Sequence, residues 1–133
     1  MATRKRNGPS ADARTLVSVV DDDESVREAL PDLLREFGFS VEAFSSAEEF
    51  LASDALDRTG CLVLDIRMPG MSGLDLQREL TRRRAGIPII FITAHGDETL
   101  RPRLIAAGAA DCLLKPFSET ALLDAVNAVL KRG

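Results

Sequence analysis

From Leu16 onward, short apolar runs alternate with amphipathic segments. The runs are "LVSVV" (16–20), "FSVEAF" (39–44), "CLVL" (61–64), "IPIIFI" (87–92) and "CLL" (112–114). Between them the apolar positions recur at helical spacing. In "ESVREALPDLLREF" these are Val26, Leu30, Leu33, Leu34 and Phe37, three and four residues apart. "SSAEEFLAS" opens with Ser45 and Glu48 at capping-box spacing. "GLDLQRELTRR" places Leu74, Leu76 and Leu80 on one side. "DETLRPRLIAAG" starts on Asp97, a good N-cap, and ends on Gly108, a good C-cap. "SETALLDAVNAVLKR" runs from a Ser118 cap to a basic last turn. Two prolines test the pattern. Pro31 sits in mid-helix and should kink it. Pro102 is tolerated if its helix begins late.

Strands alternating with helices predict an α/β domain with a parallel sheet. The strands read as nearly continuous apolar runs, as strands covered on both faces should. At 133 residues the chain is one domain's worth, and 45% hydrophobic content can fill its core. No run approaches the roughly 20 apolar residues of a membrane helix. Charge is uneven: residues 1–14 carry net +3 and residues 15–133 net −7. This division predicts a disordered basic tail over 1–14 and a folded domain over 15–133. The acidic body argues against direct nucleic-acid binding. The opening segment is polar with no apolar stretch behind it, unlike a secretory signal. Two cysteines, Cys61 and Cys112, make no disulfide framework, and the reading is a cytoplasmic protein.

In a parallel α/β sheet, ligands bind at the strands' carboxyl ends. Four of the five ends here carry polar chemistry: Asp21, Asp22 and Asp23; Asp65; Thr93; and Lys115. Burying an unpaired carboxylate is expensive, so Asp65, closing the apolar run "LVL", needs solvent or a cation. Carboxylates brought together repel unless a cation joins them, and Mg²⁺, a hard ion with oxygen ligands, suits them. A carboxylate is also a nucleophile toward phosphorus. A hydroxyl and an ammonium on neighbouring strands can hold the oxygens of a transferring phosphoryl group.

The segments "VVDDD", "LVLDIRMPGMSG", "FITAHGD" and "LLKPF", in this order and spacing, resemble the response-regulator receiver domain of two-component signalling. The resemblance covers residues 16 to about 131. "RMPGMSG" with "ITAHGD" is most similar to the nitrogen-fixation regulator subfamily, whose full-length members carry a helix-turn-helix output domain. The resemblance implies a flavodoxin-like, doubly wound, five-stranded parallel sheet in the order 2-1-3-4-5. It implies Asp65 as phosphoacceptor, Thr93 as switch hydroxyl and Lys115 as phosphate-binding lysine, with Lys115 and Mg²⁺ making the Asp65 charge tolerable. The implied Mg²⁺ ligands are Asp21, Asp22, Asp65 and the backbone carbonyl of Arg67. Arg67 and His95 occupy family-variable positions that tune dephosphorylation in the family, with a loop histidine of no role as the other reading of His95, and the Lys115–Pro116 peptide matches one often cis.

Cys112 departs from the family pattern, which has an aromatic there as the partner of the switch hydroxyl. A cysteine is too small to present a ring, so the expected signal route is the loop after Thr93 and helix four, without a rotamer switch at 112. In the order 2-1-3-4-5, Cys61 and Cys112 stand two strand spacings apart. That is roughly 9 to 10 Å, beyond the roughly 7 Å a disulfide spans, so both should stay free.

The implied function is a Mg²⁺-dependent phosphoacceptor that shifts its helix-four, strand-five and helix-five face between two states. Implied partners are a histidine kinase or histidine phosphotransfer protein, an output domain or downstream protein, and a second copy on phosphorylation. It is not a turnover enzyme on a separate metabolite. The alternative is a degenerate receiver used as a phosphorylation-independent binding module. A phosphohydrolase would want a second acid two residues after Asp65, where Arg67 stands. A flavodoxin would want Trp or Tyr to stack its flavin, and the chain has neither.

Overall fold

A computed structural model describes residues 14–94 and 98–131. The expected tail, but for Arg14, lies outside the described residues, as do His95 and the expected cap Asp97. Five strands form one parallel sheet: β1 (Leu16–Val20), β2 (Val41–Phe44), β3 (Thr59–Asp65), β4 (Ile89–Thr93) and β5 (Asp111–Leu114). Their spatial order is β2-β1-β3-β4-β5. The helices are α1 (Glu24–Glu36), α2 (Ala47–Leu51), α3 (Gly73–Arg82), α4 (Arg101–Ala106) and α5 (Glu119–Lys131).

Period-two alternation sends the strand side chains to two separate cores. Val17, Val19, Cys61, Val63, Ile90 and Ile92 pack under α1 and α5 through Leu30, Leu34, Leu122 and Val126. Leu16, Val20, Leu62, Leu64, Phe91 and Cys112 pack under α2, α3 and α4 through Phe50, Leu76, Leu80 and Leu104. Both faces are thus covered, which explains why β1 and β4 are buried at every residue.

Local chemistry sets where the helices begin. The α2 cap is Ser46 rather than Ser45: its Oγ accepts the Glu49 N–H at 3.0 Å. Ser45 instead donates its N–H to Glu49 Oε1 at 2.7 Å. With two serines and two glutamates in succession, both registers satisfy the spacing, and burial of Ala47 and Phe50 selects the later one. A reciprocal capping box forms at α3 between Ser72 and Asp75. The kink expected at Pro31 does not interrupt α1, which runs through it with Leu30, Pro31 and Leu34 all buried. Pro102 is accommodated because α4 begins at Arg101, after a 3₁₀ turn over Glu98–Leu100. Gly108, at φ +107°, follows α4, and Ser118 Oγ caps α5 by accepting the Ala121 N–H at 3.0 Å. Both cysteines are free and buried, with β4 between their strands. Among the described residues no helix is long and apolar enough to cross a membrane.

Candidate functional site

β1 ends at Val20, and Asp21 continues its line by donating its N–H to the Phe44 carbonyl at 3.2 Å. The Asp21 side chain is 0% exposed, and both its oxygens are engaged. Oδ1 accepts the Asp23 N–H at 2.9 Å, and Oδ2 accepts from Lys115 Nζ at 3.1 Å. Arg27, one turn into α1, donates to the Asp21 carbonyl at 3.0 Å. Asp23 caps α1 by accepting the Ser25 N–H at 2.9 Å, so the helix start rests against the acidic turn. Asp22, between them, is exposed.

Asp65 is the last residue of β3 and 8% exposed. One carboxylate oxygen from each of Asp21, Asp22 and Asp65 lies within 4.8 Å of the others. The electrostatic consequence falls on Asp65, whose carboxyl is pushed up to about 7. Burial is the main cause and the Asp21 charge the next, with Lys115 acting in the opposite direction. The Lys115 ammonium is bonded to Asp21, and it eases the Asp65 charge across space. Three carboxylates sharing one ammonium are short of positive charge. This all-oxygen donor set fits a hard divalent cation.

Lys115 and Thr93 sit on adjoining strands, and the Lys115 N–H donates to the Thr93 carbonyl at 2.8 Å. The Lys115–Pro116 peptide is cis. Thr93 is buried, and its Oγ1 donates to the Leu113 carbonyl at 3.4 Å. Cys112, on the adjoining strand β5, is buried as well. Burial pushes its thiol up, with Thr93 acting in the opposite direction. The structure thus gathers Asp21, Asp22, Asp65 and Lys115, with Thr93 at the end of the adjoining strand β4.

After Asp65 the chain forms a tight loop. Gly73 donates its N–H to the Ile66 carbonyl at 2.9 Å. Its backbone lies so close to the Asp65 carbonyl that any Cβ there would collide with it. Arg67 is exposed on this loop, while Met68 is buried. Two contributors escaped sequence reasoning. Glu48 accepts the Met71 N–H at 3.0 Å across 23 residues. Arg101 reaches from α4 to the Cys112 carbonyl at 3.3 Å and to Asp111 at 3.4 Å. Neither has a local signature, since each depends on which elements the fold brings together.

The family model described as the response regulator receiver domain matches residues 17–127. Nodulation protein W of Bradyrhizobium diazoefficiens is 52% identical over 122 residues, covering 92% of this chain and 54% of that protein. The chain spans about half the length of the curated relatives it matches. The solved structure of response regulator StyR is similar at a TM-score of 0.83 and 55% identity, over 90% of this chain and 61% of that one. That of FixJ-N is similar at 0.80 and 42% identity, over 89% of this chain and 94% of that one.

Proposed function

Because the chain belongs to the response regulator receiver domain family, we propose that residues 15–133 act as a Mg²⁺-dependent phosphoacceptor with Asp65 as the acceptor. The observation that carries the reading is the convergence of Asp21, Asp22 and Asp65 at one sheet edge, with Lys115 bonded to Asp21. The donor is a phosphohistidine of a kinase or phosphotransfer protein. A carboxylate oxygen of Asp65 forms the new P–O bond as the donor's N–P bond breaks, and the imidazole nitrogen keeps the electron pair. Asp21, Asp22, Asp65 and the Arg67 carbonyl would hold Mg²⁺, which when bound neutralises charge between the carboxylates and the phosphoryl oxygens. Lys115 and Thr93 supply an ammonium and a hydroxyl for the remaining phosphoryl oxygens. In dephosphorylation a water oxygen attacks phosphorus as the Asp65 O–P bond breaks, releasing inorganic phosphate and a proton and restoring the Asp65 carboxylate. Arg67 and His95 stand at the sequence positions that tune the rate of this step in the family.

Thr93 leaves the Leu113 carbonyl to meet the phosphoryl group, and the population of the α4, β5 and α5 face shifts. Output goes to a downstream protein or domain, or to a second copy, in the cytoplasm. Incubation with acetyl phosphate and Mg²⁺ tests the reading. Wild type should gain one phosphoryl group by intact-mass measurement, and chelation of Mg²⁺ should prevent it. Asp65→Asn should gain none while its circular dichroism is unchanged. Labelling of Asp65→Asn at the wild-type level would overturn the assignment. A wild type that never labels yet still binds its partner would favour the binding-module alternative.

A further inference from the structure

The loop between β3 and α3 carries the Arg67 carbonyl, and something must hold that loop in place. Its ends are secured locally. Gly73 bonds back to Ile66 at 2.9 Å, and Ser72 and Asp75 form the capping box of α3. Met68 is anchored by burial. The apex, Pro69–Gly70–Met71, has no such local support. It is met by Glu48 in the first turn of α2, whose Oε2 accepts the Met71 N–H at 3.0 Å. The same oxygen lies where a Cβ on Gly70 would approach to 2.8 Å, and Gly70 stands at φ +74°. Gly70 is favoured by its backbone conformation, and a Cβ there would crowd the Glu48 carboxylate that reaches the next N–H.

We infer that Glu48 is a positioning residue for Mg²⁺ binding. It sets the height of the loop apex, and through it the direction of the Arg67 carbonyl. The inference rests on the phosphoacceptor reading above and extends it to a side chain on a different element. Glu48 is exposed, and its neighbour Glu49 is committed to Ser45. The carboxylate thus acts through the Met71 N–H rather than as a ligand. A carboxylate accepting a backbone N–H is a charge-assisted bond, stronger than its neutral counterpart. Groups that orient a metal's ligands change its affinity without touching it.

The test compares wild type, Glu48→Ala, Glu48→Gln and Gly70→Ala. Mg²⁺ affinity is read by titration calorimetry, and Met71 amide exchange by NMR in metal-free buffer. Glu48→Ala should weaken Mg²⁺ binding about three- to tenfold, below the roughly 10- to 100-fold of outer-shell partners in general. It should also speed Met71 exchange while the metal-free melting temperature holds. Glu48→Gln keeps an acceptor oxygen and should stay close to wild type in both. Gly70→Ala, strained at φ +74° and crowding the Glu48 carboxylate, should weaken Mg²⁺ as Glu48→Ala does. Wild-type affinity in Glu48→Ala, with Mg²⁺ bound normally by wild type, overturns the role of Glu48 alone. Absence of Mg²⁺ binding by wild type overturns the underlying metal site as well.

Discussion

Lys115 Nζ lies 3.1 Å from Asp21 Oδ2, a pair formed across 94 residues between the ends of β5 and β1. Asp21 is fully buried while the Lys115 side chain is 28% exposed, so the two partners are unequal. Removing the lysine strands a carboxylate that water cannot reach. Lys115→Ala should cost about 2–3 kcal/mol of stability in metal-free buffer. Saturating Mg²⁺ should recover part of the loss, because a divalent cation offsets the same charge. Urea unfolding with and without Mg²⁺ checks this, and an equal loss in both buffers would contradict a shared site.

Mg²⁺ should stabilise wild type by mass action. At ten times its dissociation constant the gain is about 1.4 kcal/mol, or roughly 4 to 7 °C in Tm for a domain of this size. Asp22 is exposed and its side chain covers nothing in the core, so Asp22→Ala should fold normally and lose the rise. A wild-type melting curve indifferent to millimolar Mg²⁺ would count against the metal.

A buried polar relay ties β1 to β3 below the site. Thr59 Oγ1 donates to the Ala55 carbonyl at 2.6 Å, so Ser18 must donate to Thr59 in their 2.7 Å contact. Thr59→Val keeps the shape but leaves the buried Ser18 hydroxyl without its acceptor. It should cost about 1–3 kcal/mol, and adding Ser18→Ala should return part of that. A double variant no more stable than Thr59→Val would mean the relay is not the cause.

Glu79 on α3 accepts from Arg82 Nη2 and from Arg83 Nε, each at 2.6 Å. These two guanidinium groups hold its carboxyl well below the usual range, at about 2. A depressed folded pKa means stability present above the unfolded value of about 4.3 and lost as pH falls through the folded one. Glu79→Gln should therefore melt slightly below wild type at pH 6, and the gap should close as pH falls toward 2. The pairs are exposed, so the gap is small. A gap that widens on acidification would reverse the sign and refute the assignment.

How much of this was legible in the sequence depends on range. Asp65 announced itself because an apolar run ended on a charge, and the sheet order followed from which strand ends carried chemistry and from the family resemblance. The α2 cap slipped by one residue because two serines precede two glutamates. The Lys115–Asp21 bond was not readable, since a lysine at one strand end could face any of three acids. Glu48 read as half of a local capping box, and only the fold shows it spanning to Met71.

Cys112 is buried on β5, which pairs with the β4 strand that ends in Thr93. This makes its lack of an aromatic ring a mechanistic question. The thiol fills little space, and burial pushes it up. Serine keeps a hydrogen-bonding atom at the same place. If the signal leaves through the loop after Thr93 and through α4, Cys112→Ser should preserve the phosphorylation-dependent gain in partner affinity. Affinity with and without phosphorylation, in wild type and variant, measures that gain. Loss of tenfold or more, about 1.4 kcal/mol of coupling, with Asp65 still labelling normally, would place the switch at position 112 itself.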